Sequence, residues 1–262
     1  MTTVLTDAHC HLQAEEFDAD REAVIARCHD RGMRCIVVGN NLSDSQKAVD
    51  LADSHERLFA TVGLHPMFVN DEQWERPAFE KLLEHPRVVA IGEIGLDYYR
   101  MWADTPDEEQ AAKLAQQQLF LDQAALARSR GKPVVLHCRD AYDDMLRLVS
   151  EARDVPMMVH TFLGDAVTAQ KFLDLNIPLS FSGIVTFEDE DPVLDAVRTV
   201  PLDMMMIETD APHLAPLPYR GKRNEPIYVA ATAQKIAELK GLNLHDVIEA
   251  TAENARRFFR LP

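Results

Sequence analysis

Short, β-rich apolar runs alternate with amphipathic stretches along most of the 262-residue chain. The runs occupy residues 4–11, 35–40, 59–65, 88–94, 133–138, 157–162, 177–181 and 204–209, with starts 20 to 45 residues apart. Helix-period segments fill most of the gaps, at 14–31, 43–53, 71–84, 107–130, 140–152 and 166–175. Strand, helix, strand at this spacing indicates parallel βαβ units. The runs are nearly continuous in Val, Ile, Leu and Met, as expected of strands buried on both faces beneath helices. Eight of them in about 250 residues is the size of an α/β fold of the (β/α)8 TIM barrel type, with parallel strands throughout. An open doubly wound sheet is the rival that the pattern leaves standing. No stretch reads as a linker, so residues 1–262 are expected to form one domain. Long loops at 96–106 and 211–225 follow runs four and eight. The tail reads as two helices, 228–240 and 244–259, the first stopped by Gly241.

Composition narrows the picture without changing it. Hydrophobic residues make up 47% and charged residues 27%, so there is enough apolar side chain for a large core. No apolar run approaches the ~20 residues of a membrane span, and Asp7, His9 and His11 break up the start where a signal segment would lie. A cytoplasmic protein with no membrane association is expected. The four cysteines, Cys10, Cys28, Cys35 and Cys138, show no C-x-x-C pairing and read as reduced buried thiols. A formal net charge of −16 argues against a general nucleic-acid coat, though not against a small phosphate site. P-loop, dinucleotide-binding and serine-hydrolase motifs are absent from the sequence. Trp74, Trp102 and the run from Met204 to Met206 read as packing residues.

The chemistry concentrates at strand ends. Of ten histidines, His9, His11, His65, His137 and His160 fall at the C-terminal ends of runs, and Glu93 and Asp210 end runs four and eight. In a parallel barrel those ends converge on one rim, where active sites are built. His9 and His11, at i and i+2 of a strand, point to the same side and can reach one metal ion. Glu93 is a carboxylate inside an apolar run, costly unless paired or metal-bound, and its two oxygens can bridge two ions. The alternative is a buried ion pair with an arginine. Gly92 and Gly95 beside it permit close backbone approach. Asp97 is either a support for the site or a turn former. His137 and His160 can each supply a nitrogen to a second ion, or cap their strands by bonding to backbone. Asp210 can bind metal and take a proton from water, or form a turn before Pro212. Glu208 shares its strand face, so spacing alone does not say which of the two is the ligand. His65 can contact substrate or metal. Arg139 can hold an anion. Arg220, Lys222 and Arg223 form the densest basic cluster, which is either a phosphate grip or a solvated loop.

Seven segments taken together resemble the TatD family of metal-dependent deoxyribonucleases, within the amidohydrolase-like superfamily. They are Thr6-Asp-Ala-His-Cys-His11, Val62-Gly-Leu-His-Pro66, Ile91-Gly-Glu-Ile-Gly-Leu-Asp-Tyr98, Leu136-His-Cys-Arg-Asp140, Val159-His-Thr-Phe162, Glu208-Thr-Asp-Ala-Pro212 and Arg220-Gly-Lys-Arg-Asn-Glu-Pro226. Thr251-Ala-Glu-Asn254 fits the family's last helix. The resemblance implies a (β/α)8 barrel with one or two divalent ions. It implies His9, His11, Glu93, His137, His160 and Asp210 as ligands, Glu93 bridging, and His65 as a substrate or proton-transfer residue. Thr161 stands where the family usually has Cys, and His213 where aromatics are common.

The expected activity is hydrolysis of phosphodiester bonds in short or end-accessible nucleic acid, of 3'-5' exonuclease type. Asp210, Glu93 and His65 are the expected catalytic residues, and Arg139, Arg220, Lys222 and Arg223 the expected phosphate contacts. A mixed His/carboxylate set suits Zn²⁺, Mn²⁺, Fe²⁺, Co²⁺ or Ni²⁺ better than Mg²⁺. The few basic residues should grip only a short stretch of nucleic acid, with shallow salt dependence. A monomer is the favoured assembly. The alternatives are a hydrolase of amide, lactone or aminoacyl ester bonds on the same site, and a non-catalytic metal-binding barrel.

Overall fold

The computed structural model describes residues 4–99, 101, 105–187 and 192–262; Trp102 lies outside them. Eight parallel strands lie in chain order in one sheet: β1 (Thr6–Cys10), β2 (Arg34–Val38), β3 (Leu58–Val62), β4 (Val88–Asp97), β5 (Val134–Arg139), β6 (Met157–Val159), β7 (Leu179–Phe181) and β8 (Met205–Ile207). Just beyond β8 the sheet meets β1. The Asp210 amide donates to the His9 carbonyl (2.9 Å) and the His11 amide to the Ala211 carbonyl (2.7 Å), with Cys10 and Ala211 bridged in parallel. The strands thus form a nearly closed TIM barrel, not the open sheet.

Helices α1 (Arg21–Asp30), α2 (Leu42–Ser54), α3 (Arg76–Leu82), α4 (Pro106–Arg130), α5 (Tyr142–Glu151), α6 (Ala166–Asp174), α7 (Pro192–Thr199) and α8 (Val229–Lys240) surround it, and α9 (Leu244–Phe259) follows. Alternation of side chains along the strands divides the core. Cys35 and Val37 pack outward against helices, whereas Ile36 and Val38 join Ala8, Ala90, Val135, Met158 and Met206 in a separate interior cluster. Ala255, Phe259 and Leu261 from the end of the chain belong to that interior cluster. Asn254 ties α9 to the start of β8 by donating to the carbonyls of Leu202 (2.8 Å) and Met205 (2.7 Å). All four cysteines are buried and free. Among the described residues no helix is long and apolar enough to cross a membrane.

Element ends depart from the sequence pattern where tertiary contacts decide them. The segment 14–31 divides into a 3-10 turn (Glu15–Phe17) and α1, and 71–84 shortens to α3. Strand β4 runs three residues further than expected because Leu96 and Asp97 pair with Cys138 and Arg139 of β5. Register slips on β1 between Asp7 and Cys10, and on β4 between Ile91 and Ile94. Each slip contains a rim residue, His9 or Glu93, and irregularities of this kind re-aim side chains beside sites.

Candidate metal centre

Glu93 is 3% exposed and lies where the rim histidines converge. Its Oε2 faces His9 Nε2 at 3.3 Å. Its Oε1 faces His137 Nδ1 (2.5 Å), His160 Nε2 (2.6 Å) and His65 Nε2 (3.5 Å). One carboxylate therefore stands between two sets of imidazoles. His9 and His11 approach through their Nε2 atoms at 3.2 Å, and Asp210 Oδ1 lies 3.3 Å from His11 Nε2 and 3.6 Å from His9 Nε2. A tetrahedral ion with bonds of about 2.1 Å separates its ligand atoms by about 3.4 Å. His9, His11 and Glu93 are grouped closely enough to hold one ion, and Asp210 approaches both His9 and His11 at that spacing. On the other side His137 Nδ1 and His160 Nε2 are 3.2 Å apart, but Glu93 Oε1 has closed on both at hydrogen-bond distance. That set fits an ion once it opens by several tenths of an ångström.

The far nitrogens of these rings show which atom is presented. His11 Nδ1 donates to the Val38 carbonyl (2.8 Å), His137 Nε2 to Asp97 Oδ2 (3.1 Å) and His160 Nδ1 to Glu208 Oε1 (3.2 Å). With one N–H held there, the nitrogen turned into the cluster is the one an ion would take, as in metal-binding histidines; here that nitrogen carries a proton toward Glu93 in His137 and His160 and toward Asp210 in His11. His65 is arranged the other way. Its Nδ1 accepts the Met67 amide at 3.1 Å, so its Nε2 carries the proton and is a donor. Asp97 also accepts the Tyr99 amide at 3.0 Å, so it both supports His137 and forms a turn. Asp210 and Glu208 face different partners in space: Asp210 faces His9 and His11, and Glu208 faces His160 and Thr161.

Several supports carry no motif. Asp7, fully buried, accepts from the amides of His9 (3.2 Å) and Thr209 (2.9 Å) and from the Thr209 hydroxyl (2.5 Å), fastening β1 to the segment after β8. Helix α4 presents two buried glutamines seven residues apart. Gln123 brackets the Leu64 backbone before His65, and Gln116 brackets that of Asp97. The spacing of Asp7 two residues before His9 was a readable signal; the glutamines look like surface residues until the strand ends arrive beside them.

The basic residues lie apart from the rim cluster. Arg139 is exposed and stacks on Tyr99, its guanidinium carbon 3.6 Å from the ring centroid. Both line a cleft of about 690 Å³ that reaches Asp97 and Pro66, beside His137 and His65. A smaller cleft of about 320 Å³ opens on His11, between Lys47 and His213. Arg220 stacks over Phe187 and Lys222 is exposed. Arg223 grips Asp20 with two nitrogens (2.6 and 2.8 Å), reaches Glu225 (3.2 Å) and covers Phe17. In place of an open phosphate grip, it ties the 211–225 loop to the start of α1, because carboxylates 203 and two residues away in sequence meet it.

Charge in the cluster follows from these contacts. Burial disfavours the His11 cation, but Asp210, helped by Glu93 and the Val38 carbonyl, outweighs it and lifts His11 to about 9. Burial also pushes Asp210 up, yet His11, His9 and His160 bring it down to about 2. His137 and His160 are raised because Glu93 overcomes their burial, whereas burial prevails at His9 and His65 and lowers them. Raised histidines stabilise the fold fully below the unfolded value of about 6.5 and lose that contribution as pH rises through the folded value. Lowered histidines cost stability as pH falls below about 6.5. Chelator-stripped protein is therefore expected to be most stable near pH 6.5, with about 3 kcal/mol from His11 alone lost by pH 9. Saturating Mn²⁺ should flatten the alkaline side, since the cation replaces the proton. Thermal melts from pH 5 to 9, with and without Mn²⁺, check this; equal slopes would sink it.

Comparison with known proteins agrees with this geometry. The family described as TatD related DNase matches residues 6–260. A Bacillus subtilis metal-dependent hydrolase, YabD, is 38% identical over 98% of this chain and 100% of its own length. A Mycobacterium tuberculosis metal-dependent hydrolase, TatD, is 34% identical over 98% of each. Among solved structures, the TatD homologue YjjV of Escherichia coli superposes with a TM-score of 0.89 at 28% identity, covering both chains completely. A TatD family hydrolase from Entamoeba histolytica gives 0.85 at 21%, also over both whole chains, which bears on fold alone. The chain belongs to the TatD family of metal-dependent hydrolases.

Proposed function

We propose that the chain hydrolyses phosphodiester bonds in short or end-accessible nucleic acid, as a 3'-5' exonuclease with two divalent ions. The observation that carries the reading is Glu93, whose two oxygens each face a different set of imidazoles. His9, His11, Asp210 and Glu93 would hold one ion, and His137, His160 and Glu93 the other. When bound, such ions lower the pKa of water toward neutrality and neutralise charge on a phosphoryl group. Asp210, ionised at neutral pH and 15% exposed at its side chain, orients the attacking water and accepts its proton. His65, with its proton on Nε2, donates a hydrogen bond to the phosphoryl group or hands a proton to the leaving oxygen. Arg139 lies in the wider cleft as a preorganised phosphate contact, its planar cation already oriented by Tyr99. Arg220 and Lys222 meet phosphates farther out, while Arg223 holds their loop.

The test uses chelator-stripped protein resupplied separately with Mg²⁺, Mn²⁺, Co²⁺ or Zn²⁺ and a short end-labelled single-stranded DNA. Metal-restored release of mononucleotides is expected, absent in His9→Ala. No release with any ion, in protein that still binds metal, would overturn the nuclease reading in favour of amide or ester hydrolysis.

A further inference from the structure

Three of the imidazoles proposed as ligands have their outward N–H held by a visible acceptor: His11 by Val38, His137 by Asp97 and His160 by Glu208. His9 is the exception. Its Nδ1 is fully buried and has no hydrogen-bond partner among the described residues. An imidazole that presents Nε2 to a metal keeps its proton on Nδ1, and a buried N–H without an acceptor costs about 1–3 kcal/mol. A second buried atom is orphaned in the same place. Glu208 is 0% exposed, and three hydrogen bonds fall on Oε1: from the Thr161 amide (2.7 Å), the Thr161 hydroxyl (2.5 Å) and His160 Nδ1 (3.2 Å), while the buried Ser180 hydroxyl, with no partner of its own, lies close enough to favour the carboxylate. Its Oε2 has no partner among the described residues. The His9 and His160 rings stack with centroids 4.0 Å apart and planes 18° from parallel. One nitrogen of each ring and one Glu208 oxygen lie within 4.8 Å of one another.

We infer that Glu208 is a positioning residue shared by the two ion positions: one oxygen fixes His160, and the other, not hydrogen-bonded to His9 Nδ1 as the side chains stand, accepts that proton once metal binding draws the cluster together. Carboxylate geometry suits the task, because two oxygens offer about four lone-pair sites and no competing donor. Glu208 also accepts the amide of Thr161, which sits at φ 38, so it holds the left-handed turn that directs His160 to Glu93. One side chain on the segment after β8 thereby couples a strand-one ligand of the first ion to a strand-six ligand of the second. This rests on the two-ion reading above but not on the nuclease reading.

The experiment contains no nucleic acid. Chelator-stripped wild type, Glu208→Gln and Glu208→Asp are titrated calorimetrically with Mn²⁺ alone. Two binding steps are expected for wild type. Glu208→Gln removes the negative charge that both N–H groups share and leaves one of them facing an amide NH₂, so both steps should weaken, each by about ten- to hundred-fold. Glu208→Asp, which keeps both oxygens, should restore part of each loss. A loss confined to one step, no loss in either, or a wild type that takes a single ion would overturn the inference. Should the Gln variant fail to fold, long-range ¹⁵N spectra of Zn²⁺-loaded wild type decide. His9 and His160 both protonated at Nδ1 would support the shared acceptor, and His9 protonated at Nε2 would refute it.

Discussion

Glu93→Gln is expected to abolish hydrolysis while leaving the barrel folded. The change keeps volume and removes one negative charge from the point where His9, His65, His137 and His160 meet. Burial alone would push the Glu93 carboxyl up, yet the histidines around it hold it well below the usual carboxylate range. The carboxylate is therefore ionised near neutral pH, and on the two-ion reading proposed above its charge would serve both ions. An amide offers one weak oxygen ligand where two charged ones are needed. Each ion contributes several kcal/mol of transition-state stabilisation, so losing both should cost at least three orders of magnitude in kcat/KM, at about 1.4 kcal/mol per decade. Metal content after desalting should fall by more than one ion's share, which Asp210→Asn should not reproduce, because Asp210 lies against His9 and His11 rather than between the two sets of imidazoles. Stability of the metal-free protein should fall by about 3 kcal/mol without unfolding the barrel, since the imidazoles whose cations Glu93 favours lose their partner. Elemental analysis beside the DNA-release assay gives the answer. Retained activity would remove Glu93 from the mechanism.

What the chain discloses before folding is its periodicity and its rim. Eight apolar runs too uniform to have a wet face are enough to propose a covered parallel sheet, and the (β/α)8 alternative is the one that forms. Polar residues at strand ends are legible because they interrupt runs where apolar side chains should continue; His9, His11, His65, His137, His160, Glu93 and Asp210 all converge. Supports such as Gln116 and Gln123 are not legible. They lie in a long helix whose composition suits a solvated face, and only the passing backbone of Leu64 and Asp97 makes them interior. The ion pair of Arg223 is not legible for a related reason, since a local run of positive charge says nothing of an Asp20 brought beside it by closure of the barrel. Helix α7 has too few residues to establish a period, and it follows a stretch rich in acidic side chains. Glu208 and Asp210 share a strand face by spacing, and it takes the left-handed backbone at Asp210, φ 57, to turn them toward different partners.

Gly95→Ala should be the most damaging single-methyl change in the barrel. Gly95 pairs with His137 across the junction of β4 and β5, and its φ is +147°, a region that L side chains rarely adopt. A Cβ built there would lie 2.0 Å from the His137 carbonyl oxygen. That oxygen is backbone, so no rotamer change relieves the contact; the strands must part or β4 must twist. Strain of about 1–3 kcal/mol from the dihedral and about 1–3 kcal/mol from overpacking together remove a large share of the stability of a typical domain. For a chain of this size a fall in Tm of roughly 10 °C is expected. The displaced carbonyl belongs to His137, so binding at the second ion position should weaken even in molecules that remain folded. Gly131→Ala is the control. Gly131 also has positive φ, +62°, at the end of α4, but nothing lies within 4 Å of its would-be Cβ. It bears the dihedral cost without the collision and should lose only about 1 kcal/mol. Chemical denaturation of both variants separates the two causes, and equal losses would mean that close approach to His137 is not what demands glycine at position 95.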